Sequence, residues 1–219
     1  MTVIDSYYYV TEALNKLASN SGQNVSKGSF VRAFNFVQLV WIEDRVKLNE
    51  LNNVRIDEIQ QLLIQDKLNL KKESLFYEAP LPSNYYHMRR VRANTSGCSI
   101  GCYPAKEADV NVLLTDKFWQ PSLEWGETFY TLSGNTVRIY HNNELTLSTA
   151  DLIYYRYPIN INMQDGFDDV NGNPTTNIDP EFQGSSLVEI LNLTVQHLAG
   201  VTNDGSRYQM FTNKVQSHT

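Results

Sequence analysis

Residues 127–158 carry the clearest structural signal in this chain: ETFYTLSGNTVRIYHNNELTLSTADLIYYRYP. Apolar and polar residues alternate in four short segments, with the β-branched and aromatic content that is typical of half-buried strands. These segments are 128–132, 136–141, 144–148 and 152–157. Residues that tolerate tight turns separate the first three segments, and Pro158, which lacks an amide hydrogen, ends the last one. The stretch therefore predicts an antiparallel meander.

Helical periodicity marks the N-terminal part of the chain. Apolar residues between 7 and 17 fall on one face of a first predicted helix, for which Asp5 or Ser6 is the expected cap. A second helix is predicted to begin near Ser26 or Ser29 and to run past Trp41. Because its middle is apolar on most sides, we expect it to be buried between neighbouring elements.

The C-terminal part of the chain has similar signals. Ser186 and Glu189 have the spacing of a capping box, and an apolar stripe follows them as far as a plausible stop at Gly200. A last helix is predicted over residues 204–215. Both ends of the chain therefore carry apolar helical faces that need partners, and each can bury the other.

Together these patterns predict an α+β fold, in which N- and C-terminal helices form a helical body and an antiparallel β-domain, sandwich-like or barrel-like, is inserted between them. Residues 54–68 read as a weaker third helix, and further strands are predicted at 73–79, 85–93 and 110–115. The predicted parts are 1–68 for the N-terminal helices, 69–158 for the β-domain, 159–185 for a long polar loop or arm, and 186–219 for the C-terminal helices.

The acid- and amide-rich loop at residues 160–184 is longer than most connections in compact domains. Three large apolar side chains, those of Phe167, Ile178 and Phe182, interrupt its polar sequence. One interpretation is that they are anchors that dock onto a neighbouring subunit. The alternative is that they fold back onto the β-domain of their own chain.

Composition narrows the class of protein. The chain has 219 residues, 42% hydrophobic and 19% charged, which is typical of a soluble globular protein. A net charge of −6 gives no overall basic footprint for wrapping nucleic acid, although Arg89, Arg90 and Arg92 could form a local patch. The N-terminus lacks a secretory signal pattern, and the longest apolar segment, residues 30–42, is too short to span a bilayer. These features predict a protein that stays in a cytoplasm-like compartment and does not enter a membrane.

Motifs that carry chemistry are missing from the sequence. The four histidines are widely separated, and no nucleophile elbow, phosphate loop or dinucleotide fingerprint occurs. Cys98 and Cys102 are too few for a structural zinc site, so reduced thiols in a glycine-containing loop are predicted, with a local disulfide or a metal as the alternatives. Residues 165–174 superficially resemble a calcium loop, but Pro174 and Pro180 stand where a glycine and a bidentate glutamate belong. We therefore predict no enzyme activity, no cofactor and no metal.

Trp119 and Trp125 allow two interpretations. Aromatic residues of β-rich segments usually fill the core, and core packing is therefore the preferred prediction for both. If they are exposed instead, they serve an interface with another protein, or they and Asn142–Asn143 furnish a shallow aromatic platform flanked by amide and acid groups. That arrangement defines an alternative function, a carbohydrate- or receptor-binding β-module.

Four segments of the chain carry a likeness to a known family. They are GNTVRIY at 134–140, the strand that ends in YYRYP at 154–158, IDPEF at 178–182 and DGSRYQ at 204–209. With these segments the chain resembles the neck proteins of tailed bacteriophages, which are head-to-tail connectors or ring adaptors, and most closely those of crAss-like phages that infect gut Bacteroidetes. The likeness covers roughly the last ninety residues well and the first seventy in general layout.

The resemblance implies a structural virion protein rather than an enzyme. For the alternative function, it implies a carbohydrate- or receptor-binding β-module of a phage tail. It implies a homo-oligomeric ring, of twelve copies in this family, that lies in the neck and contacts the portal protein and adjacent neck or tail proteins. Viral DNA would pass through the lumen without sequence-specific binding, and twelve copies at −6 each would surround it with roughly 72 net negative charges. Assembly would take place in the host cytoplasm, without a membrane. Candidate interface residues are Phe167, Ile178, Phe182, Arg207 and Tyr208.

Overall fold

The computed structural model describes residues 1–15, 25–52, 56–142, 145–164 and 176–201. It confirms the predicted α+β class, because helices accompany one strongly curled sheet of eight strands that resembles half a barrel. The chain divides into two compact units. The helical unit comprises residues 1–61 and 158–219, and the β unit comprises residues 62–157.

Four α-helices lie in the described part of the helical unit. Helix α1 spans Val3–Asn15, α2 spans Lys27–Asn52, and a short helix α3 spans Ile56–Ile59. The long C-terminal helix, α5, spans Gly184–Val201 and packs against both α1 and α2. It begins two residues before the predicted cap at Ser186. The predicted last helix at 204–215 lies outside the described residues.

Capping groups explain where the first two helices begin. Thr2 and Asp5 form a reciprocal capping box on α1, in which Asp5 Oδ2 accepts from the Thr2 amide at 3.0 Å and Thr2 Oγ1 accepts from the Asp5 amide at 3.2 Å. Thr2 is therefore the cap, and the prediction of Asp5 or Ser6 is wrong. Ser26, one of the two predicted starting points, caps α2, since its hydroxyl accepts from the Ser29 amide at 3.1 Å.

Helix α2 is buried on most sides, as its sequence predicts. Its largest fully buried side chains are those of Phe30, Phe34, Trp41 and Ile42. Each such burial contributes about 1.5–3 kcal/mol relative to an exposed side chain. Arg45, on the same helix, is buried between Glu58 of α3 and Glu189 of α5, with Nε–Oε2 at 2.6 Å and Nη2–Oε1 at 2.5 Å. This ion pair network joins three helices.

The β unit contains the eight strands and helix α4, Val110–Thr115. The strands are β1 Leu63–Asn69, β2 Lys71–Lys72, β3 Phe76–Pro80, β4 Tyr85–Asn94, β5 Ser99–Pro104, β6 Glu127–Ser133, β7 Thr136–Tyr140 and β8 Thr149–Arg156. Their order in the sheet is β1-β8-β4-β5-β6-β7-β3-β2, and all neighbouring pairs are antiparallel except β5 and β6. Strands β4 and β8, which form the longest register, lie near one side of the sheet.

Several strand predictions are wrong in instructive ways. The predicted meander is limited to the β6–β7 hairpin, whose turn uses Gly134 at a φ of 59°. Residues 145–148 are not a strand, and β8 pairs with β1 and β4 rather than with β7. Residues 110–115 form a helix, whereas residues 63–68, predicted as the end of a helix, belong to strand β1. Tertiary pairing with β8 overrides the local preference of that segment.

Candidate functional site

Residues 116–127, which follow α4 and end on the first residue of β6, form a segment that we call the aromatic loop. It carries the side chains of Phe118, Trp119 and Trp125, which are 74%, 57% and 59% exposed. The preferred prediction of core packing for the two tryptophans is therefore wrong. The β-unit core is filled by strand residues such as Ile139 and Leu152, and the three exposed aromatic residues lie outside the strands.

Hydrogen bonds fix the backbone of the aromatic loop. Asp116 Oδ1 accepts from the Phe118 amide at 2.8 Å, and the Asp116 carbonyl accepts from the Gln120 amide at 2.9 Å. Ser122 and Glu127 exchange two backbone hydrogen bonds, at 2.9 and 3.2 Å. Because these bonds are internal to the loop, its aromatic side chains start from a preformed backbone.

Two further hydrogen bonds attach the aromatic loop to the sheet. Gly126 adopts a φ of 66°, which favours glycine, and its carbonyl accepts from the Gly101 amide of β5 at 3.0 Å. Asn142, just after β7, donates from Nδ2 to the Pro121 carbonyl at 2.7 Å. The loop is thus attached to the sheet at Pro121 and at Gly126.

A cavity of about 420 Å³ opens beside the aromatic loop. Its volume falls within the roughly 300–1,000 Å³ range of small-molecule sites. The three exposed aromatic residues line it together with the polar residues Lys117, Gln120, Glu124, Glu127 and Asn142. Trp119, Trp125 and Asn142, which the sequence links only as an alternative, thus meet at one site.

Tyr103 of β5 connects the cavity to the sheet. Its hydroxyl donates to the Trp119 carbonyl at 2.8 Å, and its ring meets the Trp119 ring edge-on, with centroids 6.3 Å apart. Burial, and secondly the charge of Glu127, raise the pKa of Tyr103 above its usual value. The hydroxyl therefore keeps its proton at neutral pH and remains a donor.

The helical unit exposes apolar side chains on two different sets of helices. On α1, Ile4 and Tyr8 lie one turn apart and are 42% and 59% exposed, and we call them the α1 surface. On α2, Phe36 and Val40 are 55% and 40% exposed. They line a groove of about 210 Å³ with three residues of α5, and we call this the α2–α5 surface. The α5 residues are Leu193, Gln196 and His197.

The predicted interface residues differ in exposure, and only two of the five lie among the described residues. Phe182 is 1% exposed and packs edge-on against Trp41 at 5.1 Å, so it belongs to the core of the helical unit and is not an anchor on a neighbour. Ile178 is 37% exposed and pairs with Asn162 through a short backbone bridge. Its use at an interface stays a prediction. Phe167, Arg207 and Tyr208 lie outside the described residues.

Both cysteines are free, as predicted. Cys98 is exposed in the turn after β4, whereas Cys102 lies within β5 rather than in a loop. Burial raises the pKa of the Cys102 thiol to about 12. No group of three His, Cys, Asp or Glu side chains among the described residues could hold a metal ion. The calcium-like segment at 165–174 falls outside those residues.

The possible basic patch lies on β4. Arg89, Arg90 and Arg92 are all exposed, and the strand has an irregularity between Met88 and Arg90. Arg92 stands opposite Asp151 in the register of β8, which places a carboxylate beside the patch. The three guanidinium groups are therefore not an uninterrupted positive surface.

Among the helices that the structure describes, none combines the length and the apolar character needed to cross a membrane. Comparison with known proteins adds no relative: no protein-family model matches this sequence, and no curated protein matches it either.

Proposed function

We propose that this protein is a structural virion protein that forms a ring in a phage neck and joins the portal and capsid to the tail. The resemblance of the 134–140, 154–158, 178–182 and 204–209 segments to neck proteins suggests the proposal. The structural observation that carries it is the presence of two distinct apolar surfaces on the helical unit, the α1 surface and the α2–α5 surface.

Two different surfaces are what a ring requires of each subunit. In a closed ring of more than two copies, one face of a subunit binds a different face of the next, which is a heterologous contact. Helix α1 offers Ile4 and Tyr8 as side chains that can insert, and the groove between α2 and α5 offers an apolar recess beside Phe36. Large exposed apolar residues of this kind often mark protein interfaces.

A complementation experiment tests this pairing. The double variants Ile4→Gln/Tyr8→Gln and Phe36→Gln/Val40→Gln each remove one surface while keeping a good helix-forming residue. Each variant alone should fail to assemble with the portal, as followed by mass photometry and electron microscopy. Mixed together, they should form only heterodimers, because each supplies the surface that the other lacks.

The matched control is Leu75→Gln, which removes an exposed apolar side chain from the β unit and should leave assembly intact. If either double variant still forms rings, the two helical surfaces are not the subunit contact. If the unmodified protein is absent from purified phage particles and remains a monomer in the presence of the portal, the ring function itself is refuted.

The lumen of the proposed ring would be acidic. The chain has a net charge of −6, and negative walls repel the phosphate backbone so that DNA slides without adhering. Cryo-electron microscopy of the assembled neck would test this. A lumen lined by lysine and arginine side chains would contradict it.

A second candidate function, a carbohydrate- or receptor-binding module, is favoured by the cavity beside Trp119 and Trp125. The two functions separate experimentally, since assembly depends on the helical surfaces and ligand binding depends on the aromatic loop. Glycan binding by a chain that never assembles with the portal would favour the second candidate.

A further inference from the structure

The aromatic loop holds three large rings in solvent although its backbone is fixed. Phe118 and Trp125 stand near each other, with ring centroids 6.5 Å apart, and Trp119 packs against Tyr103. Exposed aromatic rings forgo the stabilisation that burial would give them. The backbone of the loop is held by its own hydrogen bonds and by Asn142. The exposure of the three rings therefore does not result from an unstructured backbone. The rings are arranged to be covered by something else.

Free polar groups surround these rings. The side chains of Lys117, Gln120, Glu124 and Glu127 line the cavity. None of the four makes a side-chain hydrogen bond or ion pair with the residues that the structure describes. Carboxylate and amide oxygens are acceptors, and the Lys117 ammonium, the Gln120 amide and the two indole N–H groups are donors. A ligand can therefore form hydrogen bonds here without breaking any within the described part of the protein.

The combination narrows the chemical class of the ligand. A purely apolar molecule would leave the polar lining groups unpaired, at a cost for each one that loses water. An anion would meet two carboxylates and one ammonium group, a net negative balance that also disfavours nucleic acid. A sugar ring satisfies both halves of the site, because its C–H face can cover an indole while its hydroxyls bond to Glu, Gln and Lys side chains.

We propose that the cavity beside the aromatic loop binds a neutral oligosaccharide, with Trp119 and Trp125 as platforms and with Glu124, Glu127 and Gln120 as partners for its hydroxyl groups. The site lies entirely within the β unit and uses none of the residues of the two helical surfaces. It therefore goes beyond the ring function and stands or falls independently of it.

The test uses the full-length protein on an array that carries both neutral and acidic glycans, with titration calorimetry of the best binder. We expect binding to neutral glycans. Trp119→Ala and Trp125→Ala should each weaken it about tenfold or more, which is the loss expected when one aromatic contact is removed. Leu75→Ala, which removes an exposed apolar side chain elsewhere in the β unit, should leave binding unchanged.

A basic peptide is the main competing occupant, since indoles and carboxylates also attract lysine and arginine side chains. The double variant Glu124→Gln/Glu127→Gln discriminates between them. The amides retain hydroxyl acceptors, so binding of a neutral glycan should fall by only a few fold, whereas binding of octalysine should be lost. The proposal is overturned if no glycan binds above the level of Trp119→Ala/Trp125→Ala, or if octalysine binds in preference to every glycan.

Discussion

Two segments outside the strands carry large aromatic side chains, which are buried in one segment and exposed in the other. Phe182 stands in a polar segment before α5, where its sequence suggested a ring reaching out to a neighbour, yet it is buried against Trp41. Trp119 and Trp125 stand in a β-rich region, where core packing was expected, yet they are exposed. The comparison shows that an aromatic ring is buried only where packed elements leave a space for it. The residue type sets how much burial is worth, and the neighbours decide whether burial occurs.

The largest expected effect comes from deleting the buried ring. Phe182→Ala should lower the free energy of unfolding by about 3–5 kcal/mol, because it leaves a cavity beside Trp41. Urea denaturation monitored by circular dichroism would measure the loss. The matched control is Phe118→Ala, the same substitution in the aromatic loop, which should change the unfolding free energy by less than about 0.5 kcal/mol. Equal losses for the two variants would break the comparison.

The next largest effect is expected for Arg45, which contacts Trp41, the packing partner of Phe182. The Arg45 guanidinium lies over the Trp41 ring at 4.9 Å from its centroid and bonds to Glu58 and Glu189. Arg45→Ala should cost about 2 kcal/mol, less than a fully buried pair, because water still reaches both carboxylates.

The matched control for Arg45 is Lys47→Ala on the same helix. Lys47 forms an exposed i,i+4 pair with Glu43 at 2.7 Å, and such pairs contribute little. Chemical denaturation of both variants should give a clear loss for the first and a loss below about 0.5 kcal/mol for the second. A large loss for Lys47→Ala alone would mean that exposure does not separate the two pairs.

Alkaline pH should destabilise the β unit through two of its buried ionisable side chains. Burial raises the pKa of Cys102 and of Tyr130 to about 12 each, above their ordinary values of 9.0 and 10.0. The unfolded chain therefore releases these protons first, so the unfolding free energy should fall as pH rises from about 9 towards 12. Urea midpoints across this range would show the fall, and Cys102→Ala/Tyr130→Phe should reduce it. A fall of the same size in the double variant would contradict the assignment.

The smallest effect on stability is expected at the exposed rings themselves. Trp119→Ala/Trp125→Ala should change the unfolding free energy by no more than about 0.5 kcal/mol for each residue. Their optical effect is large instead. In the unmodified protein, acrylamide should quench most of the tryptophan emission, whereas the double variant should keep only the protected emission of Trp41, which is 2% exposed. Efficient quenching in the double variant would show that Trp41 is not buried.

Local patterns predicted the elements that are long and strongly periodic. Helices α1, α2 and α5 and the β6–β7 hairpin follow from apolar spacing, caps and turn residues. Strand β1 did not, because Leu, Gln and Lys favour a helix there and only the pairing with β8 makes it extended. Strand β5 was missed because Gly101 and Cys102 weaken its alternation. Its parallel pairing with β6 depends on a long connection that no local signal describes.

The sequence predicted some residues of the candidate site but not that they lie together. The sequence names Trp119, Trp125 and Asn142 as residues able to form an aromatic platform, but Tyr103 lies well before them in the chain. Their meeting depends on the β5–β6 pairing and on the bond from Asn142 to Pro121. The two helical surfaces were not predicted, because exposure on α1 and α2 depends on which faces the other helices cover.

Sequence patterning alone established the α+β class, the helices at both ends and the strand-rich middle, because periodicity and capping act between residues a few positions apart. The tertiary structure settled which aromatic rings are buried, which strands are neighbours and which side chains share the cavity. Those outcomes depend on contacts between residues distant in the chain, and packing at such contacts outweighs the small local preferences that a sequence displays.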